Sequence, residues 1–304
     1  MIAPAVPRAS VGVHRTALDP VATPRSTDGR LIYAIGDIHG RYDLFAALLG
    51  AVVDDIAAQP AGTAPLLILL GDHIDRGPAT DAVLAALVWL WRHAALEVRF
   101  LRGNHEAALL DFMDDPRTLP AWREIGGDAT LRAYGIDPDG SARDGSPTAP
   151  AALRDALLDR MPASHLSLLR DMPTWTTCGD YVFVHAGLRP GVPLDRQEDR
   201  DRLSIGEAFR SVDTRFEKVV VHGHGGVSVM AEATRHRIGI DTGAWTTGVL
   251  TAVRLDGATA LLLQTGGAAH ADPAPDRIDA ETPDDEEGGS ASLRAALSKL
   301  RPGY

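Results

Sequence analysis

Five apolar runs of this chain each end in residues that bind divalent metals. LIYAIGDIHG ends on Asp37 and His39, LLILLGDHIDRG on Asp72, EVRFLRGNHE on Asn104 and His105, YVFVHAG on His185, and KVVVHGHGG on His222 and His224. One such ending means little. Five in order imply strands whose carboxyl ends meet along one sheet edge, where open α/β sheets place their ligands. Carboxylates, imidazoles and one amide oxygen, with no thiolate, suit Mn²⁺, Fe²⁺ or Zn²⁺ rather than Cu⁺ or an iron–sulfur cluster. Six or seven donors are too many for a single ion. Two ions about 3.5–4 Å apart, sharing a carboxylate and a hydroxide, would use them all and suit in-line attack on phosphorus. Asp72, alone at its strand end between the two donor sets, is the natural bridge.

The elements that must position these residues are legible in the same stretch. Residues 31–35, 66–70 and 98–101 read as strands, and residues 42–58, 79–93 and 106–113 as helices. The first helix shows its apolar spacing at Leu44, Leu48, Leu49, Val52 and Ile56. This βαβαβ order predicts parallel strands with crossover helices. Residues 114–164, rich in Pro, Gly and Asp with a helix at 151–160, supply no metal-type strand end and read as an inserted cap. A short helix at 165–170 follows. Close β-runs then come at 174–177, 181–185, 218–221, 237–240, 249–254 and 258–263, with hairpin signals at Cys178-Gly179-Asp180 and Asp256-Gly257. They predict a second, mostly antiparallel sheet packed on the first. The expected fold class is α/β (α+β), a two-sheet sandwich flanked by helices. Its catalytic domain spans residues 30–265, between a disordered leader at 1–29 and an acidic disordered tail at 266–304.

Composition narrows the function classes. The 304 residues are 45% hydrophobic, ample for a substantial core. The net charge of -11 draws heavily on the tail, through Asp272, Asp276, Asp279, Glu281, Asp284, Asp285, Glu286 and Glu287. The remainder is mildly acidic and carries no basic stripe, so no nucleic-acid partner is expected. No apolar run approaches a membrane span, and the first thirty residues lack the apolar core of a secretory signal. A single cysteine, Cys178, excludes an internal disulfide and a thiolate zinc site, and a reducing cytoplasm fits best. Oligomeric state is left open.

The motifs Asp37-Ile38-His39-Gly40, Gly71-Asp72-His73-Ile74-Asp75-Arg76-Gly77, Arg102-Gly103-Asn104-His105-Glu106, His185-Ala186-Gly187 and Gly223-His224 resemble the series of the calcineurin-like metallophosphoesterases. Among these they look like the bacterial branch of the serine/threonine phosphoprotein phosphatases, over residues 31–257. The resemblance implies that Asp37, His39 and Asp72 hold one metal, and that Asp72, Asn104, His185 and His224 hold the other. Mn²⁺ is the foremost expectation, with Fe or Zn as alternatives. It further implies direct attack by the shared hydroxide, with His105 protonating the leaving oxygen, Asp75 orienting His105, and Arg76 gripping the phosphoryl oxygens. The implied substrate is a phosphoprotein or a small phosphoester.

Several positions depart from the family pattern. His73 stands where that branch usually has Tyr, and Gly225-Gly226 where bacterial members commonly have Thr-Pro. Gly226 also takes the place of a second His found in other branches, which agrees with the phosphoprotein branch. In Leu203-Ser204-Ile205-Gly206-Glu207-Ala208-Phe209, Gly206 replaces the Arg that normally supplies a second grip on phosphate, and Ser204 replaces a Trp. Losing such a contact costs about 1.5–3 kcal/mol. Arg189, Arg200, Arg202 and Arg210 are the candidates to restore it, and weakened activity is expected.

Two further functions compete with a phosphoserine/phosphothreonine phosphatase. One is a dinucleoside polyphosphate hydrolase, a branch that typically lacks the acid at Asp75. The other is a phosphate-binding homologue that has decayed at Gly206. Outside the motif set, His222 and Asp241 are expected in supporting roles, His73 lining the site, and Cys178 packed. His14, His93, His165, His236 and His270 are expected to be structural or on the surface.

Overall fold

The computed structural model describes residues 11–18, 25–141, 148–212, 214–225, 228–257 and 259–266. The expected tail at 266–304, apart from Gly266, lies outside these residues, as do His270 and Gly226. The first sheet is built from β1 (Val13–Ala17), β2 (Arg30–Ile35), β3 (Ala64–Leu69), β4 (Glu97–Phe100), β10 (Thr251–Asp256) and β11 (Thr259–Thr265), in the order β1-β11-β10-β2-β3-β4. β2, β3 and β4 run parallel, joined by α1 (Tyr42–Ala57) and α2 (Thr80–His93), as the βαβαβ pattern predicts. The second sheet has β5 (Trp175–Cys178), β6 (Tyr181–Val184), β7 (Val219–His222), β8 (Glu232–Ala233) and β9 (Arg237–Gly239), in the order β5-β6-β7-β9-β8.

The central strands of both sheets, such as β2, β6 and β7, are apolar on two faces because both faces are covered. Along β2, Leu31, Tyr33 and Ile35 pack against Leu48 and Leu49 of α1 and Leu84 and Leu87 of α2. Ile32 and Ala34 turn the other way and, with Leu66 and Ile68, meet Phe183, Val219, Val221 and Ile238 of the second sheet. The outer face of the second sheet, Val182, Val184 and Val220, is covered by Ile205 and Phe209. The result is helices, sheet, sheet, helices, with the carboxyl ends of β2, β3, β4, β6 and β7 each leading into a metal-type residue.

Two expectations need correction. The second sheet is mixed rather than mostly antiparallel: β6, β7 and β9 are mutually parallel, and only the β5–β6 and β8–β9 pairs are antiparallel. The reason is the long link between β6 and β7, which carries α8 (Asp199–Ser204) and α9 (Glu207–Arg210) and is ample for a crossover. The last hairpin, β10–β11, belongs to the first sheet, with Ala252 opposite Ile35. The expected leader also contains a strand, β1, whose Val13 pairs with Thr265 of β11. Its sequence, VHRTA, is exposed along four of five positions, so no apolar alternation announces it.

The insertion carries α4 (Leu119–Glu124), α5 (Gly127–Ala133) and α6 (Pro150–Arg160), followed by α7 (Ala163–Asp171). Among the described residues, no helix is long and apolar enough to cross a membrane.

Candidate metal centre

Tight loops after the strands bring the donors together. Asp72 lies just beyond β3, and its carbonyl oxygen accepts the amides of Ile38 at 3.0 Å and His39 at 2.9 Å, tying the β2 and β3 loops together. α3 (Asn104–Asp114) begins directly after the β4 loop and presents Asn104 and His105 in its first turn. Of the six described non-glycine residues with a left-handed backbone, five are His39, Asp72, Asp75, Arg76 and His224. Such backbone costs on the order of 1 kcal/mol or more per residue and persists where the surroundings over-determine it.

Asp72 is the hub. One carboxylate oxygen lies 3.5 Å from His39 Nε2 and 3.7 Å from His105 Nε2, and the other lies 3.3 Å from His185 Nε2. Two donor groups result, His39 with Asp72 and His105, and Asp72 with His185 and His224. Asn104 Oδ1 joins the second, 3.0 Å from His185 Nε2. Asp37 sits slightly apart: its carboxylate accepts the His224 amide at 3.2 Å. The carboxylates of Asp72 and Asp37 press against Gly103 and Gly223, where a Cβ would lie 2.1 Å from an acid oxygen in each case, so no larger residue fits either place.

The donor set suits divalent cations. His39 Nδ1–H donates to the Ile74 carbonyl at 2.9 Å and His185 Nδ1–H to the Leu70 carbonyl at 3.1 Å, which leaves both Nε2 atoms as lone-pair donors facing Asp72. Burial lowers His39 to about 3, and burial with the neighbouring His185 lowers His224 to about 4, so both imidazoles are neutral at pH 7. Burial and the adjacent charges of Asp241 and Asp72 hold Asp37 well above the usual carboxylate range. Asp72 goes the other way: burial opposes its charge, but His185, His105 and His39 together keep it well below that range. Burial pulls His185 toward neutrality, yet the Asp72 charge and hydrogen bond raise it above the ordinary histidine value. The buried Asp72 carboxylate thus draws positive charge to itself, which a bound cation would supply.

Beside this cluster lies a buried acid–base pair. His105 Nδ1 is 2.8 Å from Asp75 Oδ2, and both side chains are fully buried. Trp122 Nε1–H donates to the same oxygen at 2.9 Å, and Thr130 Oγ–H to the other at 2.6 Å. Burial pulls His105 toward neutrality, yet the charges of Asp72 and Asp75 and the Asp75 hydrogen bond raise it above the ordinary histidine value. Burial pushes Asp75 up, opposed by its bonds from His105, Thr130 and Trp122. With both of its oxygens accepting hydrogen bonds, Asp75 is the carboxylate of the pair and His105 the cation. Arg76 is exposed next to them, its amide bonded to the Gly126 carbonyl and its guanidinium 5.1 Å over the Trp245 ring.

Three supporting residues carry no strand-end signal. Glu106 is fully buried and accepts the amides of Asp72 (2.9 Å), His73 (2.7 Å) and Gly103 (2.8 Å), which locks the Asp72 loop to the start of α3. It accepts the amide of the capping residue as the Glu of a capping box does, but that cap is Gly103, which has no side chain to complete the box, so no such motif marks Glu106 in the sequence. Trp122 and Thr130 come from α4 and α5 of the insertion, and no local pattern links them to Asp75. His222 is buried against Phe209, their rings 4.9 Å apart, and burial lowers it to about 4. His73 is buried, with its ring 3.2 Å from the Leu101 carbonyl. Asp241 accepts the amides of Gly225 and Gly243, and Cys178 packs with its thiol on the Thr27 carbonyl.

A model of the calcineurin-like phosphoesterases matches residues 30–246 of the chain. A symmetrical bis(5'-nucleosyl)-tetraphosphatase of Dechloromonas aromatica (strain RCB) is 32% identical over 170 residues, covering 56% of this chain and 48% of that protein. Serine/threonine-protein phosphatase 2 of Escherichia coli (strain K12) is 38% identical over 82 residues, 27% of this chain and 32% of its own length. The matched segments thus span half or less of these relatives. Among solved structures, the "Crystal structure of a putative diadenosine tetraphosphatase" superposes with a TM-score of 0.51 at 18% identity, over 79% of this chain and 96% of that one, a likeness of fold.

Proposed function

The chain belongs to the calcineurin-like phosphoesterase family, and we propose that it is a dinuclear-metal phosphomonoesterase whose foremost substrates are phosphoserine and phosphothreonine in proteins. The observation that carries this is the Asp75–His105 pair at 2.8 Å. A serine or threonine alkoxide is a poor leaving group and needs a proton as the P–O bond breaks. His105 Nδ1 is committed to Asp75, and its buried Nε2, which has no hydrogen-bond partner among the described residues, carries the proton to be delivered.

Asp37, His39, Asp72, Asn104, His185 and His224 would hold two divalent ions, Mn²⁺ foremost. When bound, these supply Lewis acidity and a hydroxide nucleophile at neutral pH. Asp72 orients both donor groups from one carboxylate, Glu106 fixes the loop that carries it, and Arg76 offers its planar fork to the phosphoryl oxygens.

A second reading is hydrolysis of dinucleoside polyphosphates, whose additional phosphates would need cationic side chains. Arg210 and Arg235 line one cavity with His236, while Arg237 beside them is committed to the Arg210 and Val212 carbonyls. It also agrees with the tetraphosphatase relative. One experiment decides. The Mn²⁺-loaded protein is given p-nitrophenyl phosphate, a phosphothreonine peptide and diadenosine tetraphosphate in parallel. Highest kcat/KM on the phosphopeptide supports the first reading and on diadenosine tetraphosphate the second, and hydrolysis of none with metal bound overturns both.

A further inference from the structure

Gly206 lacks the arginine that the family uses as a second grip on phosphate, and four arginines lie near it in sequence. Three are committed elsewhere. Arg189 donates through Nε and Nη2 to the two oxygens of Asp201, each at 2.7 Å. Arg202 pairs with Asp199 at 2.8 Å and lies 5.0 Å over the Trp175 ring. Arg200 pairs with Glu198 at 2.8 Å out in solvent, its side chain 70% exposed.

Arg210 differs from all three. It closes α9, is half-buried, and among the described residues has no carboxylate partner. Its Nη1–H donates to the main-chain carbonyl of His224, a candidate metal ligand, at 3.2 Å. The guanidinium occupies a slot that two glycines leave open. A Cβ on Gly225 would fall 2.3 Å from Nη1, and one on Gly206 would fall 3.9 Å from Nη2. Gly225 has a left-handed backbone, φ 117°, so a side chain there would be strained as well as blocked. Gly206 has an ordinary negative φ of -103°, and nothing but Arg210 lies within 4 Å of its missing Cβ. The place of the absent side chain is therefore filled by the arginine one helical turn further on.

We propose that Arg210 is the second cationic grip on the phosphoryl group, reaching the rim of the metal centre at His224 through the space left by Gly206 and Gly225. A guanidinium presents five N–H donors, and one carbonyl uses a single donor of Arg210. The remainder can engage phosphate oxygens by charge-assisted bonds, in addition to the grip offered by Arg76. This rests on the phosphoesterase reading of the same site.

The test uses the full chain loaded with Mn²⁺ and measures the dissociation constant of inorganic phosphate by calorimetry, KM and kcat on p-nitrophenyl phosphate, and metal content. R210A should weaken phosphate binding ten- to a hundredfold and raise KM, with metal content unchanged. R210K, which keeps a point charge without the fork, should lie between. R200A should match the wild type. Adding G206R to R210A should recover binding, which a general loss of structure would not allow. Wild-type phosphate affinity in R210A, or loss of metal from both R210A and R210K, overturns the proposal, because Arg210 would then only brace His224. If the wild-type protein turns over none of the substrates yet binds phosphate through Arg210, the grip stands and the enzymatic reading falls.

Discussion

The same carboxylate, Asp72, faces His39, His105 and His185 within 3.7 Å, so its loss should act on both metal positions at once. Asp72→Asn is expected to leave the purified protein with little or no bound Mn²⁺ by elemental analysis. Asp75→Asn should differ in kind. It keeps the size of the side chain and the metal donors but removes the charge that holds His105 as an acid. We expect kcat on the phosphopeptide to fall about a hundredfold or more with metal content intact. Retained turnover in Asp75→Asn would sink the role of His105 as proton donor. Asp72, His39, His105 and His185 were legible in the sequence because each follows a short apolar run, a pattern confined to neighbours along the chain, whereas Asp75 was reached only through the resemblance of its motif. The contribution of Glu106 was not legible, since its three amide partners include Asp72 and His73, more than thirty positions away. Nor does any composition reveal that five of the site residues adopt left-handed backbone, because four of them are Asp or His, which tolerate that conformation without advertising it, and the fifth, Arg76, carries no local signal for it.

Secondary structure was largely visible, and the partners of each element were not. Apolar periodicity locates β10 but says nothing of whether it joins β2 or β9, a choice made by long-range packing. The insertion shows the same limit. Expected as a cap beside the site, it contributes Trp122 and Thr130, which hold both oxygens of Asp75 from α4 and α5. Trp122→Phe removes one bond to a carboxylate, worth about 1.5–3 kcal/mol. It should lower kcat about tenfold with KM and metal content nearly unchanged. Thr130→Val should do likewise, and Thr130→Ser should restore the rate. A change in KM alone would assign the insertion to substrate binding instead. In the following helix, α7, His165 is buried with its Nδ1 2.7 Å from the Tyr134 hydroxyl, and burial lowers it to about 4 from the usual 6.5. The folded state thus resists protonation that the unfolded chain accepts. The contribution is complete above pH 6.5 and is lost as the pH falls toward 4. Against His165→Gln, the wild type should lose up to about 3 kcal/mol of relative stability across that window in urea titrations at stepped pH. A pH-independent difference would contradict the buried neutral imidazole.

Across the whole molecule, metal and fold are linked, because the donors come from the ends of five strands in two sheets. Mn²⁺ at a hundred times its dissociation constant adds about 2.7 kcal/mol to the folded state. For a domain of this size the melting temperature should rise by roughly 5–10 °C over the chelated protein. Asp72→Asn should show no such rise, and an equal rise in both proteins would place the bound metal elsewhere. The far side of the first sheet has a different consequence. There β1 lies against β11, and the Gly266 amide donates to the Gly12 carbonyl at 2.7 Å, so the two limits of the described fold meet side by side on one edge. The order in which the strands are read along the chain is therefore separable from the shape they make. A circular permutant with residues 12 and 266 joined by a short glycine linker and new termini opened between Pro190 and Gly191, a stretch largely exposed to solvent, should close the same sandwich and take up the same metal.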